Sequence, residues 1–224
     1  DVWLMQGTGN PHMFAKLQPG ESVVDLGSGF GIDALIMSKA VGPTGRVVGI
    51  DLSINELVAA IKRAKERELR NVDYRLGDIE DPPFEDASVD VVMSNGGFCL
   101  VPDKPKSFEG IFRILKPGGR ISISCTARLQ PLDATKAWPS CMMVFMPIET
   151  VDPVLSKCGF VDIAVDTSNA NCDVWDEIKK EEKHEVKDDV DMGIHRGDPK
   201  YDFLKEMDMN KMFARVTIHA RKPL

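Results

Sequence analysis

The stretch SVVDLGSGFG, residues 22–31, decides the fold class. An apolar run ends in the acidic Asp25, three alternating glycines follow, and a segment with helical periodicity begins at Ile32. A strand that turns through glycines into a helix places free backbone N–H groups at the carboxyl edge of a sheet, where a nucleotide-like ligand can bind. This stretch therefore predicts the first strand, turn and helix of a ligand-binding α/β sheet.

Short β-rich runs alternate with helix-period segments along the chain, which is typical of a parallel sheet covered by helices on both faces. Ser53 with Glu56 three residues later predicts a helix that starts in a reciprocal capping box. We predict further helices over 32–41, up to about 115 and over 148–158. The predicted strands are 22–26, 46–50, 72–76, 89–94, 121–125, 161–166 and 214–222.

The length of 224 residues and the hydrophobic content of 43% favour one domain. We predict a core of residues 1–167 and 211–224. The charged tract 168–210 is predicted to be an insertion, either a surface helix or a lid. The chain begins with Asp1 rather than Met, which favours a trimmed or processed product.

Charge and cysteine usage exclude several classes of function. A formal net charge of −7 disfavours nucleic acid as a partner. The five cysteines form neither a disulfide framework nor a C-x-x-C pair, so we expect reduced thiols and no metal site. No run approaches the ~20 apolar residues that span a bilayer, and no signal-like stretch opens the chain. These features predict a soluble, cytoplasmic protein without a membrane partner; its oligomeric state stays open.

The spacing of the glycines distinguishes between cofactors. Gly27, Gly29 and Gly31 alternate strictly, whereas the dinucleotide fingerprint reads G-x-G-x-x-G. The carboxylate of Asp25 beside the turn would repel a pyrophosphate. A cationic ligand without phosphate, such as S-adenosylmethionine with its sulfonium and α-ammonium groups, suits this carboxylate.

Two more acids follow the next two strands. Asp51 ends the second strand, 20 residues beyond Gly31, where a carboxylate can accept both hydroxyls of a ribose. Asp78 follows the third strand, where it can accept from an adenine amino group while Ile79 packs on the ring. Three acids after three successive strands favour one ligand site over three separate caps.

The motifs VVDLGSGFG, VVGIDLS, RLGDIED, VDVVMSN and ILKPGGRISIS, in this order, resemble the class I S-adenosylmethionine-dependent methyltransferases over roughly residues 17–125. The resemblance implies a doubly wound, Rossmann-like sheet of seven mostly parallel strands with an antiparallel last strand. It also implies S-adenosylmethionine as cofactor and S-adenosylhomocysteine as product. The cofactor-binding residues carried over by motif are Asp25, Gly27, Ser28, Gly29, Asp51, Leu52, Asp78, Ile79 and Asn95.

The segments MQGTGNP, LQPGESVVDLGSG, VGPTGRVVGID, SNGGFCLVPDKPKSF and ILKPGGR are similar to the arsenite methyltransferases. In that family three cysteines gather trivalent arsenic. Here Thr8 and Gly96 stand at the first two positions, and only Cys141 falls at the third. One thiolate cannot supply a three-sulfur site, although Cys99 could replace the second ligand if its loop folds back.

The acceptor is predicted to meet the methyl group at the end of the fourth strand, with Asn95, Gly96, Gly97 and Cys141 as candidate catalytic residues. We expect Gly96 and Gly97 to leave room for a small-molecule acceptor between walls formed by Phe98 and Trp138; a plain tight turn is the other interpretation. The leading hypothesis is methyl transfer to a small molecule by in-line displacement. The alternatives are a residual metalloid or thiol methyltransferase that uses Cys141 and Cys99, and an inactive cofactor-binding partner protein.

Overall fold

The computed structural model describes residues 7–168, 170–172 and 199–224. Its helices of α type are α1 His12–Ala15, α2 Ile32–Val41, α3 Ile54–Glu66, α4 Lys104–Ile114, α5 Ser140–Met143, α6 Val151–Cys158 and α7 Met209–Met212. Its strands are β1 Ser22–Leu26, β2 Arg46–Asp51, β3 Val72–Leu76, β4 Val89–Asn95, β5 Leu115–Arg128, β6 Met146–Pro147, β7 Val161–Asp166 and β8 Phe213–Arg221. Short 3₁₀ turns occupy Gly97–Leu100, Ile148–Thr150 and Pro199–Glu206.

Seven of these strands form the sheet in the order β3-β2-β1-β4-β5-β8-β7, and the two-residue β6 pairs with the end of β5. Strands β1 to β5 run parallel, whereas β8 is antiparallel to both β5 and β7. The predicted α/β fold with an antiparallel last strand is therefore confirmed. The carboxyl ends of β1, β2, β3 and β4 share one edge of the sheet, which brings the three predicted acids to that edge.

Two hydrophobic layers cover the two faces of the sheet. One layer packs α4 and α6 against β4, β5 and β8 around Phe108, Ile111 and Leu155. The other packs α2 against β1 and β2 around Ala34 and Met37. These layers fix the strands. The strands in turn anchor the segments that follow their carboxyl ends.

The strand β5 begins earlier than the sequence predicts. It starts at Leu115 rather than Ile121, because the segment that contains Gly118 and Gly119 bulges within the strand instead of preceding it. Val89 pairs with Leu115 and Val91 with Arg120, so the register shifts across this bulge. A β-bulge of this kind inserts residues without ending the strand, which hydrophobic alternation alone does not reveal.

The structure describes the chain again from Pro199 onward. Leu204 is buried against Trp138, Met142, Cys172 and Phe213, and these residues form a third cluster beside the end of β5. The prediction of a lid or surface helix over 168–210 falls largely on residues 169 and 173–198, which lie outside the described part of the chain. Among the residues that the structure describes, no helix is long and apolar enough to cross a membrane.

Candidate functional site

The glycine turn after β1 touches the loop after β4 backbone to backbone. A Cβ atom added to Gly97 would lie 2.8 Å from the Cα atom of Gly27 and 2.9 Å from the carbonyl oxygen of Leu26. A Cβ atom on Gly27 would lie 2.7 Å from the Cα atom of Gly97 and 3.5 Å from Ile79. Three of the elements predicted to hold the cofactor therefore meet at one point.

Neighbouring elements hold the glycine turn in place. The amides of Gly27 and Ser28 both donate to the carbonyl of Ile50, each at 2.9 Å. The Tyr74 hydroxyl donates to the carbonyl of Gly31 at 3.2 Å, and the Arg63 guanidinium donates to the carbonyl of Phe30. The turn is therefore fixed by β2, β3 and α3 as well as by its own glycines.

Asp25 is a buried carboxylic acid whose surroundings are short of positive charge. Its side chain is 2% exposed, and its Oδ2 atom has no hydrogen-bond partner among the described residues. Burial raises the pKa of Asp25 well above its usual value, and the nearby Asp33 and Asp51 raise it further. A buried carboxyl with an unpaired oxygen beside two other acids is matched by a cationic ligand.

Asp51 ties the glycine turn to the start of α3. One carboxylate oxygen accepts from the amide of Gly29 at 2.8 Å, and the other accepts from the amide of Ser53 at 2.9 Å. Ser53 caps α3 as predicted by accepting from the amide of Glu56 at 3.4 Å. The reciprocal half of the predicted capping box is wrong, since Asp51 rather than Glu56 binds the Ser53 amide. The Glu56 carboxylate lies instead above Gly29, and its pKa is raised by partial burial and by Asp51.

The predicted adenine-binding residues flank this arrangement on the β2 and β3 side. Leu52 is 69% exposed, and Asp78 is an exposed acid whose Oδ1 atom accepts from the amide of Glu80 at 2.9 Å. Ile79 is partly buried and packs against the main core. An exposed leucine directly after the acid of β2 offers an apolar surface that the fold itself leaves uncovered.

On the other side of the glycine turn, residues 7–17 form a segment that we call the N-terminal strap. The Asn95 side chain holds its start: Oδ1 accepts from the amides of Thr8 and Gly9, both at 3.0 Å. Asn95 Nδ2 in turn lies 3.3 Å from both carboxylate oxygens of Asp33. His12 in the strap lies 2.6 Å from Asp33 through Nε2. Asn95 and Asp33 therefore connect the strap to the first turn of α2.

The strap crosses the polar face of β5. Ser122 donates to the carbonyl of Pro11 at 2.8 Å, and Arg120 donates to the carbonyl of Ala15 at 2.6 Å. A Cβ atom on Gly9 would lie 2.9 Å from the hydroxyl of Ser124. The strap therefore lies flat on the sheet beside the end of β4.

Replacing Asn95 by Ala should release the start of the strap. The change removes the acceptor of two backbone amides and the link to Asp33, and we expect a loss of stability of about 1–3 kcal/mol. Trypsin should then cleave after Lys16 several times faster than in the wild type. Asn55→Ala, at an exposed position of α3, is the control. An unchanged cleavage rate in Asn95→Ala would show that the strap is held by other contacts.

The comparisons with known proteins agree with this geometry. A family model described as a methyltransferase domain matches residues 17–187. The chain belongs to the methyltransferase domain family. The predicted resemblance is thereby confirmed.

Among the relatives of this methyltransferase domain is an arsenite methyltransferase of Halobacterium salinarum, which is 32% identical over 97% of this chain and 50% of its own. A phosphoethanolamine N-methyltransferase of Haemonchus contortus, solved with S-adenosyl-L-methionine, is 26% identical with a TM-score of 0.72, and the match covers 95% of this chain and 51% of that one. An arsenic(III) methyltransferase of Chlamydomonas reinhardtii, at 22% identity and a TM-score of 0.66 over 100% of this chain and 69% of that one, shares the fold. Almost all of this chain therefore matches the Halobacterium salinarum relative, but the chain spans only about half of that relative's length.

The loop after β4 of this methyltransferase domain does not leave the predicted room. Gly96 has a φ of 94°, and Gly97 fits against Gly27, so the two glycines form a tight turn in close contact with another turn. Phe98 is fully buried and packs on Phe108, with ring centroids 4.8 Å apart. Trp138 belongs to the separate cluster beside β5. The expectation of an open space walled by Phe98 and Trp138 is wrong, because backbone and core packing fill it.

The cysteines of the methyltransferase domain do not assemble a soft-metal site among the described residues. Cys99 lies beside Thr8 and accepts from the amide of Thr126 at 3.1 Å, but it is buried. Cys141 lies in the cluster around Trp138. Burial raises the pKa of both thiols, which disfavours the thiolate form that soft metals require. Cys125 is a buried strand residue.

Sequence reasoning missed three side chains that shape this methyltransferase site. Asp33 and His12 form a pair across the strap, and Glu56 faces the glycine turn. A weak signal existed, since Asp33 follows the last glycine of the turn by two residues at the start of a helix. Its partners are distant in sequence, and no local pattern connects them.

Proposed function

We propose that this chain binds S-adenosylmethionine and transfers its methyl group to a small-molecule acceptor. S-adenosylmethionine is the methyl donor of the family. The observation that carries the proposal is the buried Asp25, whose free oxygen lies among acids at a glycine turn. The hydroxyl of Ser28 in the same turn is also buried without a hydrogen-bond partner in the described part of the chain. Two orphaned polar atoms at one turn fit a ligand that carries both positive charge and polar groups.

The proposed roles of the cofactor-binding residues are those that the family resemblance implies. Asp25 would hold the cationic methionine part, Asp51 the ribose hydroxyls, and Leu52, Asp78 and Ile79 the adenine. When bound, S-adenosylmethionine supplies an electrophilic methyl group and leaves as S-adenosylhomocysteine. The residues of this chain contribute position and exclusion of water rather than a dedicated acid or base. Asn95 contributes by holding the strap over the acceptor side, and Gly97 by letting the two turns meet.

Calorimetric titration with S-adenosylhomocysteine tests the proposal. We expect the wild type to bind it and not to bind NADH, and we expect Asp51→Asn to weaken binding at least about tenfold, because a charge-assisted hydrogen bond to the ribose is lost. Asp73→Asn, on neighbouring β3 and in an exposed ion pair with Arg46, is the matched control. A folded wild type that binds no adenosyl ligand would refute the proposal.

Methylation of arsenite is the second candidate, since a relative that is 32% identical carries that name. Only Cys141 stands at a position of the three-cysteine set, and the thiol of Cys99 is buried beside Thr8. Their surroundings favour neutral thiols rather than a thiolate cage. We therefore place this function behind methyl transfer to an organic molecule.

A further inference from the structure

A cleft opens between the N-terminal strap and the strands β7 and β8. The side chains and backbone that line it include Thr8, Gly9, Met13, Phe14, Asp166 and Arg215. The amino end of β8 lies at the carboxyl edge of the parallel strands because β8 runs antiparallel to β5. The cleft therefore opens at the same edge of the sheet as the cofactor-binding turns.

Arg215 is the cation of this cleft. Its side chain is partly buried and makes no hydrogen bond or ion pair with any residue in the described ranges 7–168, 170–172 and 199–224. Two other arginines on this face of β5 and β8 are paired: Arg120 with Glu21, and Arg221 with Asp162. A guanidinium left unpaired in a concave site is a strong binder of carboxylate or phosphate groups.

In the described part of the chain, no ion pair joins Arg215 to Asp166, the other charged group that lines the cleft. Asp166 accepts from the hydroxyl of Ser168 at 2.8 Å and lies opposite Thr217 in the pairing of β7 with β8. Met13 is 64% exposed, and the ring of Phe14 packs on His219 with centroids 4.3 Å apart. The cleft therefore combines an apolar wall with a positive charge that has no partner among the described residues.

The cleft is continuous with the acceptor side of the proposed reaction. Thr8 and Gly9 line it, and their amides are the ones that bind Asn95 at the end of β4. β8 is separated from β4 only by β5. Two strand spacings correspond to about 10 Å, which is the reach of a small organic molecule.

We propose that this cleft binds the methyl acceptor through an anionic group, a carboxylate or a phosphate held by Arg215, with the apolar body of the acceptor against Met13 and Phe14. The inference rests on the proposed methyltransferase function and narrows its substrates to small organic anions. The accepting atom then lies about 10 Å from the anionic group, toward Asn95.

Three probes of one size test the charge preference: phenylacetate, benzyl alcohol and phenethylamine. Their binding is measured by NMR on the protein saturated with S-adenosylhomocysteine. We expect phenylacetate to shift the side-chain Nε–Hε signal of Arg215 and to bind at least about fivefold tighter than the other two. Arg215→Gln should weaken phenylacetate binding at least about tenfold while S-adenosylhomocysteine affinity stays within about twofold.

Arg221→Gln is the matched control, because Arg221 lies on the same strand, six residues and about 20 Å away at the opposite edge of the sheet. It should leave phenylacetate binding unchanged. Equal binding of the three probes, or phenylacetate binding that survives in Arg215→Gln, would overturn the proposal.

A screen for formation of S-adenosylhomocysteine completes the test, using organic acids and their neutral methyl esters as acceptors. Turnover of acids with a KM raised at least about tenfold in Arg215→Gln would support the anionic subsite. Turnover of the neutral esters alone would overturn it while leaving the proposed function intact. Failure of the protein to bind S-adenosylhomocysteine at all would instead refute the proposed function on which the inference rests.

Discussion

Replacing Asp25 by Asn should make the ligand-free protein more stable and weaken cofactor binding. The folded state raises the pKa of Asp25 by burial and by the charges of Asp33 and Asp51. The wild type therefore loses stability as the pH rises from the unfolded value of 3.8 through the raised folded value. An uncharged Asn removes this loss, and we expect a gain of about 1–3 kcal/mol in the free energy of unfolding at pH 7.

The same substitution removes the carboxylate that would pair with the cationic part of S-adenosylmethionine. We expect its affinity to fall about 10- to 100-fold, since hydrogen bonds to charged groups contribute about 1.5–3 kcal/mol. Denaturant unfolding at several pH values and calorimetric titration measure the two effects. Asp162→Asn is the control, at an exposed residue with a φ of 52° that Asn tolerates. A destabilised Asp25→Asn protein with unchanged cofactor affinity would mean that Asp25 is a structural residue.

Replacing Gly97 by Ala should damage cofactor binding as well as stability. The new methyl group would meet the Cα atom of Gly27 and the carbonyl of Leu26, which are backbone atoms and cannot turn aside. We expect a loss of stability of about 1–3 kcal/mol from overpacking. Because the displaced turn is the one that we propose holds the cofactor, affinity for S-adenosylhomocysteine should fall at least about tenfold.

Gly20→Ala separates crowding from backbone strain. Gly20 has a φ of 89°, and a Cβ atom there would have Thr44 as its nearest neighbour at an ordinary 3.6 Å. That variant should lose about 1–2 kcal/mol of stability and keep its cofactor affinity. Calorimetry on both variants checks the comparison. Unchanged affinity in Gly97→Ala would show that the contact between the two turns has no part in cofactor binding.

The sheet and its ligand edge could be predicted from the sequence because their signals are local. Each of these signals lies within a few residues: the apolar run that ends in Asp25, the alternating glycines, and the acid that ends β2. Even here a local pattern failed once: Ser53 and Glu56 fit a capping box, but Asp51 lies nearer to the Ser53 amide and displaces the glutamate from it.

The contacts around the end of β4, where we propose that the acceptor binds, could not be predicted because they join residues that are distant in sequence. The side chain of Asn95 accepts a hydrogen bond from the amide of Thr8, 87 residues away in sequence, and no sequence periodicity predicts that contact. The pair of glycines after β4 shows the same limit. In a sequence, Gly96 and Gly97 indicate either free space or close approach, and only the position of Gly27 in space decides between them.

The contact between Gly27 and Gly97 distinguishes two kinds of position around this edge of the sheet: those that tolerate substitution and those that do not. Neither glycine can acquire a side chain without moving the other, so natural variation and protein engineering should leave this pair untouched. Positions of the strap and of the ends of β7 and β8 that already carry a side chain are not subject to this constraint. A new acceptor preference should therefore arise by exchange of residues at positions such as Met13, Ser168 and Arg215, on a cofactor platform that stays the same.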